Sequence, residues 1–394
     1  MDSTHQLEIN KYIEFKNINK NSSEKTIRNY GIDLYRILSM VNIINLHINL
    51  CSSNLKIEPS SDKFKSIYLL EIFSLWSVDG FGLISGVVGY RRYKFSNLIY
   101  FWFQYSFYSF LFTLYLYITN RLLLKDVFVS IFPIGLSRRW YFNAYFCMYL
   151  FLPFINQGIN FVDKIIFRNL IYFYFLFFSI YHIIVVIFLD NKTNFHFLND
   201  GYSPLWLTIL YIIGAYFGKF IINHNSNYCN RIWNSIFWLL IYFNSSLISY
   251  KIFYTLLKAN SNIPNKILMN YLSPTTIIQA ISLLIVFSRI RIANKYLQKI
   301  IMFFYPLTLN IALIHSRLFR LEITKETFLK WVKKLDKDFL ASKLYLLSFV
   351  VYIVCGIMDN FRAIIFKILK LRELSQFLEI KIPNIINNIF KENY

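Results

Sequence analysis

The sequence predicts an all-α, polytopic membrane protein, a single bundle of about ten transmembrane helices. Of its 394 residues, 56% are hydrophobic and only 16% charged, whereas soluble domains carry about 25% charged residues. The polarity is blocky: apolar runs of about twenty residues, long enough to cross a hydrocarbon core as helices, alternate with short polar segments. The alternating strands of a membrane barrel are absent. Backbone polar groups in lipid must be satisfied within each segment, which leaves helices. No repeat, low-complexity block or Pro/Gly-rich linker divides the chain, so one packed domain is expected.

Taken in order, residues 1–30 are a polar, Lys-containing tail without the apolar stretch of a cleavable signal peptide. Ten apolar runs follow, at 32–52, 67–90, 96–119, 139–157, 168–189, 204–222, 232–256, 270–288, 298–316 and 341–368. An even count puts both termini on one side. Lys11, Lys16, Lys20, Lys25 and Arg28 before the first run make that side the cytoplasm, and Arg91, Arg92, Lys94, Arg289, Arg291 and Lys295 fall there too. The Lys-rich segment 317–343 falls outside in this count, against the rule. Within it, at 322–340, the spacing of Phe328, Trp331, Val332 and Leu335 predicts an amphipathic surface helix. Residues 31–370 are thus the transmembrane domain and 371–394 a second cytoplasmic tail.

The net charge of +21 lies mostly between apolar runs, as beside anionic headgroups. A lipid bilayer is therefore the expected partner, and nucleic acid is not. Cys51, Cys147, Cys229 and Cys355 are scattered, with neither a disulfide framework nor a metal-ligand spacing. No phosphate-binding loop, nucleophile elbow or metal motif occurs. ATP-driven pumping and zinc hydrolysis are disfavoured.

The first run, IDLYRILSMVNIINLHINL from Ile32 to Leu50, carries Asp33, Arg36 and His47. Eleven steps of about 100° bring Arg36 and His47 to one stripe, roughly 16 Å apart along the axis. Asp33 lies one turn from Arg36, close enough to pair. Ionisable groups within a membrane usually face a protein-lined cavity and mark function. The pattern predicts a cation near one membrane edge and an imidazole deep inside, on a common cleft; Arg36 could equally snorkel to headgroups. In the second run, Asp79 lies twelve residues from Arg91, about 18 Å. That depth matches His47, so Asp79 is expected to orient the ring. Gly80, Gly82, Ser85, Gly86 and Gly89 form a small-residue surface for close helix contact.

The Arg-x10-His spacing in the helix opening IDLYRILSM resembles the hallmark of acyltransferase family 3 membrane proteins, which include O-acetyltransferases of bacterial surface polysaccharides. Ser85-Gly86, with Arg91 and Arg92 beyond, is similar to the family's second-helix signature. The two arginines are adjacent where the family spaces them, so either could hold a donor's phosphates. Trp140-Tyr141-Phe142, the segment Ser203 to Tyr216, Tyr271 to Thr275, Leu313 to Ser316, and Asp359-Asn360-Arg362 resemble further family segments in the same order.

The resemblance implies transfer of an acetyl group from acetyl-CoA, as co-substrate, to a hydroxyl of a glycan or lipid-linked saccharide. On this reading His47 is the base, Asp79 tunes it, and Arg36, held by Asp33, binds the donor with Arg91 or Arg92. No permanently bound cofactor or metal is expected. Arg138, Arg139, Trp140 and His315 fall at the outer rim, where they could meet an acceptor or simply anchor helix ends. Glu71 and His182 are polar intruders without an assigned role. The rival reading is a transporter or flippase, or a polymerase, for a lipid-linked saccharide.

Overall fold

The computed structural model describes residues 28–52, 61–91, 93–136, 139–188, 198–222, 228–259, 263–318 and 339–391. Among the described residues the secondary structure is helical throughout, with no strand. Among the described residues six helices are long and apolar enough to cross a membrane: Asp62–Gly89, Lys164–Phe188, Pro204–Ile222, Ile232–Ala259, Lys295–Ser316 and Leu340–Ile368. Each of the ten expected runs coincides with a helix or broken helix. Four of them, at the first, third, fourth and eighth positions, are too short or too rich in polar and tyrosine residues to join the six.

We number the helices in chain order. Helix α1 is Tyr30–Ser52, and α2 (Asp62–Ser74) and α3 (Trp76–Gly89) are nearly one rod interrupted at Leu75. Then come α4 (Phe95–Ile118), α5 (Leu124–Ile131), α6 (Trp140–Phe161), α7 (Lys164–Phe188), α8 (Pro204–Ile222) and α9 (Tyr228–Ala259). The chain ends with α10 (Pro274–Arg289), α11 (Lys295–Phe304), α12 (Thr308–Leu318), α13 (Leu340–Ile368) and α14 (Leu371–Lys391). The surface helix expected at 322–340 lies almost wholly outside the described residues.

Local chemistry sets the starts. Ser203 and Ser273 are each followed by Pro, whose fixed φ suits the first helical position. Ser203 accepts from the Trp206 N–H, and Asn294 caps α11 by accepting from Tyr296 and Leu297. At the other end of α6, Lys219 donates to the carbonyls of Ile159, Asn160 and Val162 at 2.8, 3.1 and 3.2 Å. A cation there satisfies orphan acceptors and complements the helix dipole.

The tightest packing is between α3 and α8. A Cβ on Gly86 would collide with the Tyr211 carbonyl, one on Gly214 with the Leu83 carbonyl, and one on Gly218 would reach 2.9 Å from the Val87 oxygen. Gly82 faces Leu210 in the same seam. Two small-x-x-x-small pairs thus face each other, as small residues must where backbones touch. Helix α1 closes on the same group. Gly31 lies against the Phe287 carbonyl, and fully buried Tyr35 stacks on Trp76 at 5.1 Å while donating to the Ala280 carbonyl at 2.8 Å.

Residues 371–391, expected as a tail, form a helix docked on the start of α4. Glu379 accepts from the Phe95 N–H at 2.7 Å and Arg372 donates to Asn97 at 2.7 Å. A carboxylate satisfying a free N–H at a helix start makes a favourable cap. Partial burial raises the Glu379 carboxyl, but its hydrogen bonds at the start of α4 outweigh this and hold it below the usual range.

Two outcomes are expected. Gly214→Leu should destabilise the fold by about 1–3 kcal/mol or more, as overpacking does, lowering the melting temperature in detergent relative to Gly158→Leu, at a site open to space. Because the Glu379 carboxyl is lowered on folding, docking of α14 is favoured above about pH 4.3 and weakens as pH falls through the folded value. Hydrogen-exchange protection over residues 371–382, relative to the intrinsic rate at each pH, should therefore fall in acid, and Glu379→Gln should remove that pH dependence.

Candidate functional site

A cavity of about 610 Å³ opens inside the bundle, in the size range of small-molecule sites. Met40, Ile43 and His47 of α1 line one wall, three residues at helical spacing. Glu71, Leu75, Val78 and Phe81 of the α2–α3 rod, Arg139 to Phe142 at the start of α6, and Leu309, Ala312 and His315 of α12 complete most of it.

His47 and His315 meet here. The His47 Nδ1 lies 2.8 Å from the His315 Nε2, with ring centroids 5.0 Å apart. The His315 Nδ1 lies 2.7 Å from the Ile311 carbonyl oxygen. The expectation of a rim position for His315 is corrected, because its side chain has no solvent exposure. Counting charges between runs places a helix end at the surface, but α11 and α12 form a broken rod whose last turns stay packed against α1 and α13.

Asp79 does not reach His47. Its Oδ1 accepts from the Trp206 Nε1 at 3.2 Å, and it lies outside the cavity lining. The reason is register. Asn45 donates to Ser74 at 2.8 Å, and Gly80 packs against Tyr35 and Ser39. The antiparallel α1 and α3 therefore set Asp79 beside residues near 38, and Glu71 is the carboxylate level with His47. Glu71 lines the cavity and pairs with Lys266 at 3.9 Å. The same register puts Arg91 about ten residues, roughly 15 Å, beyond Arg36 rather than beside it.

Asp33 pairs with Arg28 at 2.7 Å, not with Arg36, because Arg28 folds back over the helix start. Arg36 is half-buried and within electrostatic range of the Tyr141 and Tyr145 phenols. Tyr141 is shared: it lines the cavity and forms an edge-to-face pair with Phe81 at 6.4 Å. From it a ladder of phenols, Tyr141, Tyr145, Tyr149 and Tyr93, runs at centroid spacings of 6.3, 6.0 and 5.2 Å toward the Arg91 end. Arg91 itself is exposed beside Tyr90. Arg92 and Arg138 lie outside the described residues.

Arg139 is no rim residue either. It is buried in the cavity wall, with its guanidinium 5.6 Å from the Tyr105 ring. Trp140 packs against Tyr202 and Tyr271 at 4.7 and 6.0 Å, giving an aromatic wall near Asp200 and Lys266. The structure thus brings His47, His315, Arg139 and Trp140 into one cavity and leaves Asp33, Asp79, Arg91 and also Arg36, expected on the same cleft as His47, outside its lining. Sequence reasoning gave no role to Glu71, Lys266, Asp200 or Tyr202. A usable signal was that Tyr202 and Tyr271 each stand just before a Ser-Pro helix start. Among the described residues no three His, Cys, Asp or Glu side chains converge as metal ligands. No protein-family model, curated protein or solved structure matches this chain.

The Trp206–Asp79 contact makes a check on the corrected role of Asp79. Trp206→Phe leaves a buried carboxyl without its donor and should cost about 1–3 kcal/mol, whereas Asp79→Asn keeps an acceptor and should melt close to wild type. Differential scanning fluorimetry of the purified variants measures both.

Proposed function

We propose that this chain is an integral-membrane acyltransferase, of the kind the family 3 resemblance implies. It moves an acyl group, acetyl by that resemblance, from cytoplasmic acyl-CoA to a hydroxyl of a glycan or other cell-envelope acceptor. In this reading all ten helical segments cross the bilayer and both termini are cytoplasmic. The observation that carries it is a single stripe on α1: Met40, Ile43 and His47 line the cavity, and Arg36 lies on the same helix face, within electrostatic range of the cavity-lining Tyr141. A cation and an imidazole roughly 16 Å apart suit a long donor with phosphates at one end and a thioester at the other.

Arg91 stands at the donor's entrance and Arg36 further in, where guanidinium groups contact phosphate well. The phenol ladder spans the distance between the Arg91 end and the cavity. At the far end, the acceptor hydroxyl gives its proton to His47 as its oxygen bonds to the thioester carbon. The Arg139 guanidinium, in the same cavity, is suited to hold the oxyanion that forms. Collapse breaks the carbon–sulfur bond, and the proton on His47 passes to the leaving thiolate, giving ester and free CoA. The wall of Trp140, Tyr202 and Tyr271 supplies flat apolar faces for an acceptor ring.

Acyl transfer from labelled acetyl-CoA in membranes, with mass spectrometry of surface glycans for one added acyl unit, tests this. His47→Ala should lower turnover by about 10²–10⁴-fold, the worth of general-base help. Arg36→Ala should mainly raise the KM for the donor. Full turnover without His47 would remove the ring from the reaction.

A further inference from the structure

We infer that His315 is a positioning residue for His47, holding that ring in the tautomer that carries its hydrogen on Nδ1 and leaves Nε2 as the bare, basic nitrogen. The tautomer follows from hydrogen-bond bookkeeping along three groups. The Ile311 carbonyl can only accept, so the His315 Nδ1, 2.7 Å away, must carry a hydrogen. A neutral imidazole has one donor and one acceptor nitrogen, so the His315 Nε2 accepts. The His47 Nδ1, 2.8 Å from it, must then donate. What remains on His47 is an unprotonated Nε2.

Both rings thus hold the Nδ1–H form, the minor tautomer of histidine in water, and the choice originates in one backbone oxygen. The terminus is rigid, because Ile311 lies one turn before His315 on α12 and both are fully buried. Reversing the chain would need a second proton on His315, so that both its nitrogens donate. That would place a cation in a fully buried ring, within electrostatic range of the Arg139 guanidinium and with Asp79 committed to Trp206. Burial disfavours the charged form of an imidazole. Glu71, a carboxylate of the cavity lining, already faces Lys266.

The arrangement has the logic of an orienting group behind a catalytic imidazole, with a neutral ring where serine hydrolases use a carboxylate. When His47 takes a proton at Nε2, its Nδ1–H bond to His315 becomes charge-assisted and stronger. The help appears as the proton moves, not before. The catalytic half of this inference rests on the acyl-transfer reading; the tautomer itself does not.

The test separates the two. Full-length protein with nitrogen-15 histidine is placed in lipid bilayers and its ring nitrogens are read by solid-state NMR, His47 being assigned by the signals lost in His47→Gln. Wild type should show a protonated Nδ1 and a bare Nε2 on both rings. In His315→Leu the His47 ring should shift toward the Nε2–H form, and His315→Gln, whose amide oxygen can accept, should restore it. Acyl transfer in His315→Leu should fall by about 10²-fold in kcat with donor KM unchanged, and recover in part in His315→Gln. A wild-type His47 protonated on Nε2 overturns the inference, whatever the variants do. If the ring pattern stands but neither His47→Ala nor His315→Leu alters transfer, the catalytic half of the inference fails and the tautomer remains; if the wild type itself transfers no acyl group, the acyltransferase reading fails.

Discussion

The structure depends first on two backbones being allowed to touch. Gly86 meets the Tyr211 carbonyl and Gly214 the Leu83 carbonyl, so α3 and α8 cross at a separation no side chain would permit. Lipid tails are as apolar as leucine, and helices in a bilayer gain little from hydrophobic burial against each other. Close van der Waals contact between small residues takes its place. From that crossing other placements follow. Trp206 on α8 comes within reach of Asp79, and the Tyr211 hydroxyl donates to Asn156 of α6 at 2.7 Å. Asn156 in turn donates to the Gly89 carbonyl at 3.3 Å, which ties α6 to the end of α3. Helix α6 is thereby held with Tyr141 and Tyr145 toward Arg36.

Among the described residues, the buried polar groups include a tight ion pair and a neutral network. Asp359 and Arg362 form a bidentate pair at 2.6 and 2.9 Å, with Tyr108 donating to the same carboxylate. Asn42, Ser74, Asn45 and Ser348 form a chain of neutral hydrogen bonds. Unpaired buried charge is expensive, and paired charge only breaks even. A histidine pair ending on a carbonyl fits this economy: it provides a base and its support without a resident ion.

Much of this was legible in the sequence because it depends on local pattern. The ten apolar runs mark the ten helical segments, the glycines at 82 and 86 mark a close contact, and the Arg36–His47 spacing marks one face of α1. What escaped was how far helices slide past each other. Depth counted from basic residues assumes that every helix begins and ends at the same plane. The α2–α3 rod is 28 residues long and runs past the start of α1, so Asp79 sits lower than the count gives and Glu71 takes its level. The same assumption set His315 and Arg139 at a rim. The docking of residues 371–391 also escaped, since the cap that holds it joins Glu379 to Phe95, far apart in sequence.

Why His47 faces the cavity at all can be traced to the other side of its own helix. Asn42, Asn45 and Asn49 are buried on α1, and at about 100° per residue they cluster on the face opposite His47. Asn42 and Asn45 hydrogen-bond with Ser74 of α2, and Asn45 with Ser348 of α13. Turning α1 about its axis would leave these amides unsatisfied in an apolar interior, at a cost of about 1–3 kcal/mol for each group. The rotation is therefore set by groups that take no part in the site. Arg36, Met40, Ile43 and His47 face α6 and α12 because the amides cannot.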